Sequence, residues 1–259
     1  KKCAFETEVT EVFATLFELN QNIKKLRSWT KDKPVGRSLM FVNVKAYLHY
    51  EPKGHVLIIT PWNYPFQLPM CHLISAIAAG NTVLLKLSEY APHSNQVIKE
   101  IVHSVFPSHH VAVIEGAVAE TTALLDLKFD HIHFTGSPAV GKVVMKAASN
   151  HLADLTLELG GKSPVFIDQD VNVDQVVKNI IWAKFVNAGQ TCIAPDYMLV
   201  DRKLENLIEA AFQKQLKIAF GEQPQKSPDL ARIIHKNQFE RLQRALHAVR
   251  NSATVVCGG

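Results

Sequence analysis

The sequence predicts an α/β protein in which a doubly wound parallel-sheet domain is followed by part of a second α/β domain. Three observations carry that expectation. Runs at Val56 to Thr60, Thr82 to Leu87, Val111 to Glu115 and His131 to Thr135 read as strands buried on both sides of a sheet. Stretches with helical spacing lie between them, near Leu68 to Ala79, Ser94 to Val105 and Ala139 to Ala148. With 47% hydrophobic and 20% charged residues, the 259-residue chain has ample core for one large domain or two ordinary ones.

The chain opens in a helix, because Val9, Val12, Phe13, Leu16, Leu19, Ile23 and Leu26 follow one helical face. Lys31 to Gly36 is a loop by its Pro, Gly and charge content, and Leu39 to Tyr50 is expected to be extended. From Val56 onward, alternating strands and helices imply right-handed crossovers. Ligand is then expected beyond the carboxyl ends of the strands, just after Thr60, Leu87, Glu115 and Thr135. A second β-α segment is expected from Leu155 to Glu158 and Pro164 to Ile167, with a helix over Val173 to Val186 that ends at Asn187-Ala188-Gly189. A charged helix over Leu204 to Lys217, a loop with Pro224 and Pro228, and a helix around Asn237 to Val249 follow. Ala253 to Cys257 reads as a strand entering a Gly258-Gly259 turn. Both ends read as cut, with partners expected to be missing at each.

Several function classes are excluded. Lys and Arg total 28 against 24 Asp and Glu, with no basic run, so nucleic acid is not an expected partner. Cys3, Cys71, Cys192 and Cys257 form no C-x-x-C, which fits a reducing compartment and neither a zinc ribbon nor a dithiol centre. No apolar run approaches the roughly 18 residues of a membrane span, and no signal-peptide pattern opens the chain. His131 and His133 share a strand face but lack a third ligand, so no metal is expected.

Five segments carry chemistry. Cys192, in Gly189-Gln190-Thr191-Cys192, follows a helix where a thiol can stand exposed, although lone cysteines are more often small buried hydrophobes. Glu158 ends a strand between Leu157 and Leu159, where desolvation would favour the neutral acid and suit a proton acceptor; an outward-facing residue capped by Gly160-Gly161 is an equal alternative. Asn63 lies in Pro61-Trp62-Asn63-Tyr64-Pro65, a turn stiffened by prolines, where its amide could hold an oxyanion or serve as an ordinary turn residue. Phe134 to Lys142 joins a strand to a helix with Gly136 and Gly141, as a phosphate-facing turn does. Val143 stands where a nucleotide hydrolase needs a hydroxyl for Mg²⁺, which argues against phosphate hydrolysis. Lys86 and Glu89, three residues apart after a strand, could bond the hydroxyls of a ribose or simply meet solvent.

Taken in order, Pro61 to Pro65, Lys86-Leu87-Ser88-Glu89, Phe134-Thr135-Gly136-Ser137, Glu158 to Lys162 and Gly189 to Cys192 strongly resemble the aldehyde dehydrogenase superfamily, over essentially the whole chain. Cys192-Ile193-Ala194-Pro195-Asp196-Tyr197 is most similar to the class 3 branch, whose members oxidise medium and long aliphatic or aromatic aldehydes. The resemblance implies a Rossmann-like NAD(P)-binding domain over residues 1–159, a projecting oligomerisation β segment over 36–51, and the N-terminal part of the catalytic domain over 160–259. It implies that Cys192 attacks the aldehyde, Asn63 and the Cys192 N–H hold the oxyanion, and Glu158 activates water against the thioester. Trp62, Lys86, Glu89, Gly116, Phe134, Gly136, Ser137, Val140, Gly141, Leu159 and Gly160 are the implied cofactor contacts. NAD is the expected cofactor, with NADP use allowed, because Glu89 should repel a 2′-phosphate.

Two departures stand out. Leu87 replaces the usual Pro, and the family's Glu-Ile-Phe-Gly-Pro motif, which grips the nicotinamide ribose, does not occur in this sequence. The alternative expectation is therefore a catalytically silent fragment or cofactor-binding module. CoA-acylating and semialdehyde dehydrogenases are the enzyme rivals, with Glu158 favouring water as acceptor. A homodimer in the cytoplasm is expected, with membrane attachment only through a C-terminus outside this sequence.

Overall fold

A computed structural model describes residues 2–36 and 39–258, with Phe41 described by its backbone alone. The chain divides into two compact units, Val9–Glu158 and a second made of Lys1–Glu8 with Leu159–Gly259.

The opening helix runs as α1 (Ala4–Thr7), a π-helical turn over Glu8–Phe13, and α2 (Ala14–Trp29). Its expected apolar residues are not the ones that bury. Phe13 and Ile23 are 64% and 70% exposed, whereas Glu11, Thr15 and Asn22 are buried. The cause is hydrogen bonding to α3 (Gln67–Ala78), whose first N–H groups lack partners within their own helix. The Glu11 carboxylate accepts from Phe66 N at 2.7 Å and Gln67 N at 3.3 Å, and Glu18 accepts from Asn22 and Ser75. A negative charge at a helix N-terminus is stabilising, so the polar side of α2 turns inward.

The expected loop over Lys31 to Gly36 contains strand β1 (Lys33–Pro34), paired antiparallel with β2 (Tyr47–Leu48). Leu39 to Tyr50 is not extended throughout, since Leu39–Phe41 forms a 3-10 turn. Within the expected projecting segment, Arg37 and Ser38 lie outside the described residues, while Leu39 and Met40 are 95% and 85% exposed.

The main sheet has five strands: β3 (His55–Ile59), β4 (Thr82–Lys86), β5 (Val111–Ile114), β6 (His131–Gly136) and β7 (Asp154–Leu159), in the order β5-β4-β3-β6-β7. β3 runs parallel to β4 and β6, and β4 parallel to β5. The segment from Leu155, expected to open a second β-α segment, is instead the fifth strand of this sheet. Helices α4 (Pro92–Val105), α5 (Val118–Leu125) and α6 (Pro138–Ser149) connect the strands. Ile58, Leu85, Leu87, Ile98, Val102 and Val111, all essentially inaccessible, form the core around β3 and β4. β4 and β5 lie to one side of β3 while β6 and β7 lie to the other, so the winding reverses at β3. A crevice opens at such a switch point beyond the strand ends.

Three histidines meet within this unit. The His72 ring of α3 lies 4.0 Å, centroid to centroid, from that of His133, and with His131 they line a cavity of about 310 Å³. His131 Nε2 is 3.2 Å from the Thr156 hydroxyl and His133 Nε2 is 3.3 Å from that of Thr135. Among the described residues no group of three or more His, Cys, Asp or Glu side chains could hold a metal ion. Burial lowers the pKa of all three, and His133, further opposed by His72 and His131, falls to about 3. The fold therefore holds a neutral His133, whereas the unfolded chain protonates it near pH 6.5. Its contribution is fully present above about pH 6.5 and is lost as pH falls from there toward 3, with a slope of at most about 1.4 kcal/mol per pH unit. Thermal melts of wild type should fall through that window, and His133→Leu should flatten the decline; parallel curves would refute this assignment.

The second unit contains a parallel pair, β8 (Ser163–Ile167) and β9 (Pro195–Val200), with α7 (Val173–Phe185), α8 (Glu205–Phe220) and α9 (Lys236–Val249). Asn172 caps α7 by accepting from Gln175 N at 3.1 Å. Val177, Ile180 and Ile181 pack with Ile208 and Ala211 to join α7 to α8. The strand expected over Ala253 to Cys257 does not form. Residues 254–256 have no ladder partner among the described residues, and Val255 and Val256 are 48% and 41% exposed.

Candidate active site

The strand ends of the five-stranded sheet carry most of the expected site residues. After β3, Thr60 N donates to the Lys86 carbonyl at 3.1 Å, tying the start of the Pro61-Trp62-Asn63-Tyr64-Pro65 turn to the end of β4. Trp62 and Asn63 are part-buried on that turn, and α3 begins directly beyond it.

At the end of β4 the Lys86 side chain is buried, with Nζ 3.8 Å from the Glu89 carboxylate. Burial pushes the ammonium pKa down, and Glu89 and Glu120 oppose that push. Lys86 and Glu89 are therefore brought together, and Glu120, which sequence reasoning missed, lies close enough to act on the Lys86 charge. Glu120 belongs to α5, an eight-residue helix that Ala117 begins without a capping side chain, so no start signal marks it. The Glu120 carboxylate instead accepts from Ala117 N at 2.7 Å. Bonds from its own backbone N–H and from that of Ala117 keep it below the usual carboxylate range. Gly116 is obligatory at this turn, because its φ is +151° and a Cβ would lie 2.5 Å from the Glu120 side chain.

After β6 the chain turns at Gly136, where a Cβ would come within 2.5 Å of the buried Phe134 ring. Ser137 then caps α6, accepting from Val140 N at 3.3 Å, with Pro138 in the first turn. Val140 is 45% exposed and Gly141 is buried. Amide donors at a helix N-terminus, glycine-lined and beside the switch point, fit the pyrophosphate of a dinucleotide, and Lys86 with Glu89 offers donor and acceptor for a ribose.

Glu158, near the end of β7, corrects one expectation. It is exposed, while Leu157 and Leu159 are part-buried. Alternation along the strand sends the leucines to the other face, so they do not enclose the carboxylate.

Cys192 is delivered by the second unit. Helix α7 stops at Phe185, and Asn187 (φ 54°, ψ 31°), Ala188 (φ 53°, ψ 32°) and Gly189 (φ 74°) follow in the left-handed region. For residues with a Cβ that conformation costs roughly 1–2 kcal/mol each, so neighbours must brace it. Asn187, 4% exposed, donates its backbone N–H to Glu6 at 3.2 Å and its side-chain amide to the Gln190 carbonyl at 3.3 Å. Gln190 donates to the carbonyls of Asn187 at 2.9 Å and Arg232 at 3.2 Å, and accepts from Ile234 N at 3.0 Å. A tight turn follows, closed by Ala194 N on the Thr191 carbonyl at 3.2 Å. Cys192 is exposed within that turn and Ala194 is its buried anchor. A Cβ on Gly161 would approach the Cys192 carbonyl to 3.1 Å, whereas one on Gly160 would meet open space. The second glycine of the pair is thus the one that close approach requires.

Trp62, Asn63, Lys86, Glu89, Gly116, Phe134, Gly136, Ser137, Val140, Gly141 and Glu158 belong to one unit, and Leu159, Gly160 and Cys192 to the other. Among the second unit's residues, sequence reasoning missed Glu6 and gave Gln190 no role, because both act on backbone groups and leave no spacing pattern.

The aldehyde dehydrogenase family model matches residues 3–259. The chain is 43% identical over 254 residues to the 4,4′-diaponeurosporen-aldehyde dehydrogenase of Staphylococcus aureus, covering 98% of this chain and 55% of that protein. It is 44% identical over 233 residues to the dimeric NADP-preferring aldehyde dehydrogenase of Rattus norvegicus, covering 90% and 51%. Family 3 members of mouse and human are 42% identical to it. A Mycobacterium tuberculosis aldehyde dehydrogenase complexed with NAD+ superposes with a TM-score of 0.88 at 25% identity, over 99% of this chain and 53% of that one. The chain spans about half the length of the curated relatives it matches.

Proposed function

Because the chain belongs to the aldehyde dehydrogenase family, in its class 3-like branch, we propose that the whole protein oxidises an aldehyde to the carboxylic acid with NAD(P)+. The substrate class is a medium or long aliphatic or aromatic aldehyde, and the S. aureus relative, named for a diaponeurosporen aldehyde, supports that choice. One observation carries the reading: a braced left-handed run places Cys192 in an exposed turn.

Cys192, its proton released to solvent, attacks the aldehyde carbon as the thiolate, forming a C–S bond and sending the carbonyl electrons to oxygen. The Asn63 amide and the Cys192 main-chain N–H hold that oxyanion. NAD(P)+, when bound, would accept the hydride that the thiohemiacetal carbon gives up as it becomes a thioester. Glu158 removes a proton from water, the water oxygen attacks the thioester, and the C–S bond breaks to return the thiol. The role of Glu158 rests on the family resemblance of the segment Glu158 to Lys162, since the carboxylate is exposed and the flanking leucines do not enclose it.

For the dinucleotide, Lys86 and Glu89 take the adenosine ribose, while Ser137, Gly136, Gly141 and Trp62 face the pyrophosphate. Gly116, Phe134, Val140, Leu159 and Gly160 line the remainder. Glu89 should repel a 2′-phosphate, so NAD is expected to bind the full-length protein about tenfold more tightly than NADP, a difference of about 1.4 kcal/mol. Titration calorimetry measures both, and equal affinities would refute the preference. The rat relative, described as NADP-preferring, makes this a demanding test.

That relative is also described as dimeric, which supports a homodimer here. No helix among the described residues is long and apolar enough to cross a membrane. The proposed location is the cytoplasm, with membrane attachment only through a segment outside this sequence. Steady-state NAD(P)H formation by the full-length protein across aldehydes of increasing length tests the whole reading, and no turnover with any of them would sink it.

A further inference from the structure

A backbone N–H just beyond a helix end must find a partner outside the helix when it is buried. At the end of α7 the last helical bond is made by Val186 N to the Trp182 carbonyl. Asn187 follows, in the left-handed region and 4% exposed. Its N–H reaches a carboxylate oxygen of Glu6, 181 residues away in sequence and 3.2 Å away in space.

Glu6 is itself held in place. Its own N–H donates to Cys3 Sγ at 3.4 Å, which caps the short first helix, and Thr7 N donates to the Cys3 carbonyl at 3.1 Å. The side chain is part-buried, and that burial raises its carboxyl pKa above the usual range. An acceptor kept partly out of water at a strained backbone is an arrangement that fixes geometry.

We propose that Glu6 is a positioning residue for the Cys192 thiol, acting by holding the Asn187–Gly189 run in its left-handed conformation. This rests on the reading of Cys192 as the nucleophile. Without the Glu6 oxygen, the Asn187 N–H loses this acceptor and the left-handed conformation of Asn187 and Ala188 loses a brace. Right-handed backbone is the lower-energy alternative for both. A change there re-aims the following residues, and Cys192 lies only three beyond Gly189.

Three variants of the full-length protein test this, with kcat, KM and the iodoacetamide alkylation rate of Cys192 followed by peptide mass spectrometry. Glu6→Ala removes the acceptor, Glu6→Asp withdraws it by one methylene, and Glu6→Gln keeps an oxygen at the same reach. Ala and Asp are expected to lower kcat about tenfold and to shift the alkylation rate severalfold, with KM within about twofold of wild type. Gln is expected to stay within roughly threefold of wild type in both readouts.

Wild-type kcat and alkylation in Glu6→Asp would overturn the proposal, as would Gln behaving like Asp. If Glu6→Ala does not fold, the Asp and Gln pair still decides. Retained turnover in Cys192→Ala would instead defeat the nucleophile assignment, whatever the Glu6 variants do.

Discussion

Cys192→Ala is expected to lower turnover of the full-length protein by a factor on the order of 10⁴ or more, because no covalent intermediate can then form. Steady-state NAD(P)H absorbance reads the loss, and retained activity would overturn the assignment. Two of the other thiols offer no substitute. The thiol of Cys71 is half-buried and pushed up in pKa by that burial, and Cys3 Sγ is engaged as a helix cap. Since Cys192 is exposed, the variant's melting temperature should match wild type. An unchanged melt with lost turnover separates chemistry from folding.

Glu158→Gln should act on a different step. Removing the base that activates water is expected to lower kcat by about 10²–10⁴, yet acylation of Cys192 does not use it. A first burst of roughly one equivalent of NAD(P)H per active site should therefore survive, followed by a slow steady state. Rapid-mixing absorbance distinguishes the two phases. If the burst disappears as well, Glu158 is needed before the thioester. If CoA restores wild-type turnover to the variant, the natural acceptor is a thiol rather than water.

The parallel strands were legible because both their faces are buried, so Val56 to Ile59 read as one apolar run without alternation. Helices with a start signal, such as α6 behind Ser137-Pro138, were legible too. What escaped was governed by polar contacts at long range. Nothing local announces that Glu11 will cap a helix 55 residues away and draw the polar side of α2 inward. Likewise His72 and His133 lie on separate elements, and only tertiary packing brings their rings, tilted, to 4.0 Å. Ala253 to Cys257 shows the opposite failure, since strand-like residues make a strand only where a neighbouring strand is present. At the candidate site, Gly136 and Gly141 stood out in the strand-to-helix turn and Ser137 entered only through the family resemblance, whereas the braces Glu6, Glu120 and Gln190 act through backbone amides and left no local pattern.

The strand order β5-β4-β3-β6-β7 also has a kinetic meaning. β3 and β4 join residues that are close along the chain, such as His55 and Thr82, 27 apart, so this half of the sheet closes through a short loop. β6 must return across a far longer span, as the bond from His55 N to Asp130, 75 residues on, illustrates. Longer loops close at greater entropic cost and later in folding. The β3–β6 boundary, where the winding reverses and the crevice for a dinucleotide opens, is therefore among the last parts of the sheet to assemble. A dinucleotide bound there, as proposed above, would hold together the seam that local pairing cannot secure early.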